Sequence, residues 1–135
     1  MDVMQTTITR RRIATVILAP TAALIAWAAV RLIGVDLVVS SGDGTVGPGD
    51  VLTAALFGAL AAWLVVWLLE RRSRRPRLWW SLIGSTALSV SIIGPTWFAD
   101  GASGVSLIGL HFVTAIVVIT GFAGTLPIRR DDTAR

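Results

Sequence analysis

The segment from Glu70 to Arg77, which reads ERRSRRPR, decides how this chain folds. It carries five arginines in eight residues, and a long apolar run lies on each side of it. A charged arginine at the centre of a bilayer costs at least ~2.5–3.5 kcal/mol on insertion scales. The segment must therefore stay in water while its flanks enter lipid, which predicts a hairpin loop on one face of a membrane.

The composition excludes a soluble fold. Hydrophobic residues make up 54% of the 135 residues and charged residues 15%, against about 25% charged in soluble domains. Four apolar runs remain beside the tails and the loops, each near the ~20 residues that cross ~30 Å of hydrocarbon. The sequence predicts an all-α membrane protein with four transmembrane helices. The spans are expected at about 13–33, 51–69, 78–98 and 105–126, between an N-terminal tail 1–12 and a C-terminal tail 127–135.

The distribution of arginine predicts the orientation of an antiparallel up-down bundle. Eleven of the twelve basic residues, all of them arginines, lie on the side of the two termini and the hairpin, and only Arg31 lies near the other side. Basic residues accumulate in cytoplasmic loops, so both termini are predicted to be cytoplasmic. The expected location is a bacterial inner (plasma) membrane, which the protein crosses several times.

The basic pI of about 11.5 indicates lipid rather than nucleic acid, because the arginines flank apolar runs. The predicted partners are the lipid bilayer, with anionic lipids at the cytoplasmic arginines. A homo-oligomer or another membrane protein is a further candidate partner.

The first span leaves one alternative open. Its basic cluster, its apolar core and Ala26-Trp27-Ala28 also resemble a secretory signal with a small-residue cleavage site. The apolar run continues to Ile33, which favours a spanning helix. Residues 1–9 have no apolar period and are expected to form a tail without regular structure, and Pro20 is expected to kink the helix that follows.

Local signals place the other helix ends. Asp50, directly before Val51, is expected to be the N-cap of the second helix, and Gly94-Pro95 is expected to loosen or end the third. Residues 100–104 are expected to form a short outer turn before the fourth helix.

Two lines of small residues predict the interface between the second and third spans, which a short hairpin makes antiparallel neighbours. The lines are Ala54, Gly58 and Ala62 on the second span and Ser81, Ser85 and Ser89 on the third. The serines either pack there, with their hydroxyls bonded to carbonyls one turn earlier, or line a path for water. Both interpretations stay open.

His111 is the only histidine, and it leads to the candidate site. It lies about two turns into the expected fourth span, ~9 Å below the outer end. An imidazole at that depth has a donor and an acceptor to satisfy, so it should face the bundle. The expected partner is the outer end of the first span, where Arg31 should pair with Asp36 or with Asp50 above His111. Arg31, Asp36 and His111 form the predicted outer cluster.

Three interpretations of the outer cluster remain open. It is a polar clasp between the first and fourth helices, or a binding site for a lipid head group, a quinone head or a small anion. The third interpretation, a haem or metal site, is disfavoured, because a lone histidine leaves the coordination of the metal incomplete. No cofactor and no metal are predicted. The chain also has no cysteine, no HExxH, GxSxG or P-loop motif, and no paired carboxylates within the spans, so it is not expected to be an enzyme.

Four short motifs carry a resemblance to a known family. They are Trp27-Ala28-Ala29-Val30-Arg31-Leu32-Ile33-Gly34-Val35-Asp36, Leu68-Leu69-Glu70-Arg71-Arg72, Gly94-Pro95 and Leu110-His111. From about Ile13 to Leu126 the chain resembles an actinobacterial family of uncharacterised four-helix integral membrane proteins, a domain of unknown function. That family has no assigned activity, so the resemblance implies no catalytic residue. It implies that Arg31, Gly94, Pro95 and His111 belong to the family pattern.

A comparison with small multidrug transporters argues against proton-coupled export. Those proteins are similar four-helix chains with a membrane-embedded glutamate on the first span, whereas here no acidic residue lies deep within any expected span. The sequence therefore favours an accessory or interaction membrane protein with the outer cluster. A small transporter or channel subunit and a head-group binding protein are the alternatives.

Overall fold

The structure is a computed structural model that describes residues 3–38, 44–99 and 101–127. It contains four helices, α1 (Val3–Leu32), α2 (Pro48–Arg72), α3 (Pro76–Phe98) and α4 (Gly101–Ala123). All four are long and apolar enough to cross a membrane. The prediction of an all-α chain with four membrane-length helices is confirmed. Some predictions concern residues outside the described ranges, namely Ser40 to Asp43, Asp100, and the C-terminal Arg129, Arg130 and Arg135.

The first helix begins earlier than expected. α1 has 30 residues, which is about 45 Å, so it exceeds the ~30 Å of a hydrocarbon core. Residues 3–9, expected to be a tail without regular structure, belong to this helix. Arg12 and Thr15 are buried against other helices, and this anchorage stabilises a helical turn that the polar sequence alone would not hold. Pro20 lies inside the same continuous helix.

Two further helices, α2 and α4, begin earlier than the sequence predicts. α2 begins at Pro48 with Gly47 as its N-cap, and Asp50 is the third helical residue. Its carboxylate accepts a hydrogen bond from the Gly47 N–H at 2.9 Å, so Asp50 closes the cap from inside the helix. α4 begins at Gly101, whose φ of +57° favours glycine. Residues 101–104 are thus helical and do not form a turn.

The four helices form an antiparallel bundle in which α1 packs closely on α2 and α4, and α4 on α3. At one end Arg12 contacts Glu70, and at the other end Ala23 packs with Val51 and Leu110. The end that contains the start of α1 and the α2–α3 hairpin is called the arginine face. The opposite end, which carries residues 33–38 and 44–47, is called the loop face. In the described residues α1 makes no contact with α3, and α2 meets α3 at few positions.

Two buried clusters stabilise the two ends of the bundle. Near the arginine face, the Trp80 and Phe122 rings meet edge to face with centroids 5.8 Å apart, and the Trp80 indole donates to the Ile119 carbonyl at 3.0 Å. Near the loop face, Leu37 is fully buried. The loop-face cluster comprises Ala23, Leu37, Val51, Ala55 and Leu110, and the arginine-face cluster comprises Val66, Trp80, Phe122 and Leu126.

The predicted packing of the serine line on α2 is wrong. Ser81, Ser85 and Ser89 are exposed, and the hydroxyls of Ser81 and Ser89 donate to carbonyls one turn earlier at 3.1 and 3.0 Å. α3 instead turns another face towards α4, where a Cβ added to Gly84 would meet Ile119 at 3.0 Å. The aromatic contact of Trp80 fixes this rotation, and small-residue spacing could not indicate it.

The closest approach of α1 and α4 gives a test of the bundle. A Cβ at Gly121 would lie 2.5 Å from the Thr15 hydroxyl oxygen, and a β-branched side chain cannot move far. We expect Gly121→Ala to lower the free energy of unfolding by about 1–3 kcal/mol through overpacking, measured by thermal unfolding in detergent. Thr15→Ala in the same chain should restore much of the loss.

Gly109→Ala is the matched control on the same helix, because nothing lies within 4 Å of its added Cβ. Ala forms helix better than Gly by up to about 1 kcal/mol, so this variant should be as stable as the parent or more so. Equal effects at Gly121 and Gly109 would contradict the close α1–α4 contact.

Candidate functional site

The structure brings together two of the three residues of the predicted outer cluster. The Arg31 guanidinium and the Asp36 carboxylate form an ion pair at the loop face. Their side chains are 43% and 68% exposed, and exposed pairs stabilise a fold by at most about 1 kcal/mol. The pair therefore lies at the exposed end of α1 and contributes little to the stability of the bundle.

His111 lies away from this pair. Because α4 begins at Gly101, His111 is about 15 Å along the helix, near its middle, and not the 9 Å expected from the sequence. Its Nδ1 atom lies 2.8 Å from the Leu107 carbonyl oxygen. Within the ranges that the structure describes, His111 forms no hydrogen bond or ion pair with Arg31 or Asp36.

Other groups make the connection between the loop-face ends of α1 and α4. The Ser103 hydroxyl donates to the Asp36 carbonyl at 2.7 Å. The Val46 N–H donates to the Leu37 carbonyl at 2.8 Å, and the Trp27 indole donates to the Val46 carbonyl at 2.9 Å. These contacts fold residues 33–38 and 44–47 over the loop face. Trp27, part of the signal-like motif, thereby holds α1 within the bundle.

A groove of about 600 Å³ lies between α2, α3 and α4 and is called the central groove. It exists because α2 and α3 meet at few positions, and its walls are almost entirely apolar. The small-residue line of α2 faces this groove. The lining includes Asp50, Ala54, Gly58, Ala62 and Val65 from α2, Trp80, Gly84, Ala87 and Ser91 from α3, and Leu107, His111, Thr114 and Val118 from α4.

The few donor-bearing polar side chains that line the central groove donate their hydrogen bonds to backbone carbonyls of the protein. The Ser91 and Thr114 hydroxyls donate to the Leu88 and Leu110 carbonyls, both at 2.8 Å. A carbonyl can only accept, so His111 Nδ1 carries the hydrogen towards Leu107, and in the neutral ring Nε2 is an acceptor. Within the part of the chain that is described, Nε2 has no partner. The groove thus offers acceptors, with the Asp50 carboxylate at one end.

A second polar feature lies near the arginine face, and the sequence pattern does not predict it. Arg12 is buried, and one of its terminal nitrogens lies 2.5 Å from a Glu70 carboxylate oxygen. Its Nε donates to the Thr125 hydroxyl at 3.3 Å, which donates to the Phe122 carbonyl at 2.8 Å. This network joins α1, α2 and the end of α4. Arg12 stands in a run of three arginines, so nothing in the pattern singles it out.

Three nearby arginines differ from Arg12. Arg74, Arg75 and Arg77 are exposed around the α2–α3 hairpin, whereas the Arg71 guanidinium lies over the Trp67 ring, 3.9 Å from its centroid. In the described ranges the ion pairs are Arg12–Glu70 and Arg31–Asp36. In those ranges, too, no three His, Cys, Asp or Glu side chains are grouped as metal ligands.

Residues 4–127 match a family of unknown function, DUF6069. The chain belongs to this family. The DUF6069 match covers the four helices except the first residue of α1, and it includes Arg31, Asp36, His111 and the whole central groove. The resemblance to a family of unknown function is therefore confirmed, and the actinobacterial source stays a prediction. No curated protein and no solved structure matches the chain.

The Arg12–Glu70 pair gives a test of the network. Glu70→Gln leaves the buried guanidinium without its counter-charge. We expect a loss of about 2 kcal/mol in the free energy of unfolding, below the ~3–5 kcal/mol of fully buried pairs because Glu70 keeps some contact with water. Arg11→Gln, at an exposed position next to Arg12, should change stability by no more than about 0.5 kcal/mol.

A double-mutant cycle separates the pair from its surroundings. Combining Arg12→Gln with Glu70→Gln should cost about 1–2 kcal/mol less than the sum of the single changes, because each single change already breaks the pair. Thermal unfolding of the four proteins in one detergent provides the values. Additive effects would show that the two side chains do not interact.

Proposed function

We propose that this small membrane protein is an accessory binding protein for an amphiphile, held in the central groove with its hydrogen-bond-donating group at His111. The observation that carries the proposal is an apolar groove whose polar side chains offer acceptors only. This proposal keeps the accessory role favoured by the sequence. It moves the binding interpretation from the outer cluster to the groove.

The dimensions of the groove fit the chain of a lipid-like molecule. From Asp50 to Val65 the α2 wall runs for about 22 Å, most of the ~30 Å hydrocarbon thickness. Ligand sites of small molecules commonly occupy ~300–1,000 Å³ and are mainly apolar with a few polar groups. Because the groove lies between membrane-length helices, a ligand dissolved in the bilayer could enter sideways between α2 and α3.

The polar groups define the class of head group. An acceptor at Nε2 complements a hydroxyl, such as that of a quinol or an alcohol, or an amine N–H. The Asp50 carboxylate at the loop-face end repels an anion and favours a donor or a cation. Arg31, the charge expected to hold an anionic head group, does not line the groove. The geometry therefore favours a donor head group over the small anion considered from the sequence.

A transporter or channel subunit is the second candidate, and the groove argues against it. Trp80, whose ring packs on Phe122 and whose indole donates to the Ile119 carbonyl, lines this groove, and the remaining lining is almost entirely apolar. A conducting path needs a continuous run of polar contacts. The absence of enzymatic activity stays a prediction.

The inner-membrane location and the cytoplasmic termini also stay predictions. They are supported by the arrangement of the arginines, because Arg10, Arg11 and Arg12 share one end of the bundle with the hairpin arginines. A strong basic bias at one end is the usual signal of a cytoplasmic side.

The sole histidine allows a direct test of binding. In protein with 15N-labelled histidine, in zwitterionic nanodiscs, we expect a long-chain alcohol or primary amine to shift the Nε2 resonance saturably. A carboxylate of equal chain length should leave it unchanged. Gly58→Leu, placed in open space on the groove wall, should weaken binding at least about tenfold, which corresponds to ~1.4 kcal/mol. Gly109→Leu, in open space outside the groove, is the matched control.

His111→Phe distinguishes a clasp from a ligand site. The clasp interpretation requires a lower unfolding midpoint. The groove interpretation requires an unchanged midpoint with loss of alcohol binding, followed here by ligand-dependent thermal stabilisation. Equal responses to alcohol and carboxylate, or equal binding by the Gly58→Leu and Gly109→Leu proteins, would show non-specific partitioning and contradict the proposal.

A further inference from the structure

A second cavity, of about 940 Å³, lies at the arginine face on the hairpin side of α3 and is called the arginine pocket. The side chains that matter here are the arginines Arg74, Arg75 and Arg77 and the leucines Leu78 and Leu82, all of which line it. The central groove shares none of these residues. The arginine pocket is therefore a separate site.

Among the described residues, no acidic side chain is free to neutralise the charge of the arginine pocket. Glu70 is the acidic residue in its lining, and its carboxylate already binds Arg12 at 2.5 Å. Across residues 3–38, 44–99 and 101–127, Arg74, Arg75 and Arg77 take part in no ion pair. Three guanidinium groups thus line one cavity without a counter-charge among the described residues. Guanidinium binds phosphate through paired N–H groups, and its charge persists at any physiological pH.

The other side of the arginine pocket is apolar. Leu78 and Leu82 are 49% and 53% exposed and lie one turn apart on α3. They follow the arginines in the direction in which α3 enters the membrane-length segment. The pocket therefore changes from charged to apolar over about 7–10 Å of helix, as a phospholipid does at the junction of head group and acyl chain.

We propose that the arginine pocket binds an anionic phospholipid, with its phosphate between Arg74, Arg75 and Arg77 and its acyl chain along Leu78 and Leu82. Basic pockets at the ends of membrane helices bind such head groups. A head group with two phosphates neutralises more of the positive charge of three guanidinium groups than a head group with one phosphate does. Cardiolipin should accordingly bind more tightly than phosphatidylglycerol, and phosphatidylcholine least.

The test uses the full chain in detergent and native mass spectrometry, with cardiolipin, phosphatidylglycerol, phosphatidylcholine and inorganic pyrophosphate as probes. Arg74→Gln, Arg75→Gln and Arg77→Gln together should weaken cardiolipin binding at least tenfold. The matched control replaces Arg10, Arg11 and Arg72 by Gln, which removes the same charge from exposed positions outside the pocket. That control should bind cardiolipin within about threefold of the parent.

Each alternative has its own outcome. Equal losses in the two triple variants would show diffuse attraction to the whole basic face and would overturn the proposal, as would no loss in either. Pyrophosphate that binds as tightly as cardiolipin would identify a free anion as the ligand. If the pocket variant does not fold, the protein with Leu78→Ser and Leu82→Ser decides, since it should lose cardiolipin binding while it retains all three arginines.

Discussion

The contact of α1 with both α2 and α4 is the constraint on which the rest of the structure depends. Thr15 meets Gly121 so closely that α1 and α4 cannot separate without losing packing, and Arg12 binds Glu70 across to α2. In the described ranges α3 has no contact with α1 and is held chiefly by α4. Because α4 binds the Trp80–Gly84 face of α3, α3 stands away from α2. The central groove is the space that results.

The two ends of the bundle use polar groups in different ways. At the arginine face, the buried Arg12 is satisfied by a carboxylate and a hydroxyl, while Arg74, Arg75 and Arg77 form no ion pair within the described residues. At the loop face, backbone carbonyls and the Trp27 indole make the connections, and the Arg31–Asp36 pair is exposed. Between the ends lies His111, with one ring nitrogen bonded to its own helix.

The sequence predicts most of the fold because membrane insertion depends on composition and length. Arginine cannot enter lipid cheaply, so the ERRSRRPR segment and the four apolar runs already determine four helices and one hairpin. Helix starts are less predictable, since α4 begins at Gly101, within the expected turn, and α2 begins at Pro48, before the expected N-cap Asp50. The four-residue shift at α4 moves His111 from the outer third to the middle. That shift separates it from Arg31 and explains why the predicted cluster is not assembled.

The sequence could not predict the groove or the Arg12 network, because both depend on helix rotation. Small residues at spacing four indicate close packing, yet the line with Gly58 faces open space. The most direct test is a crystal structure grown from a lipidic phase with lipids of the source membrane. We expect elongated density between α2 and α3 that passes His111 Nε2. Direct packing of Ala54, Gly58 and Ala62 on α3, with no space between, would contradict it.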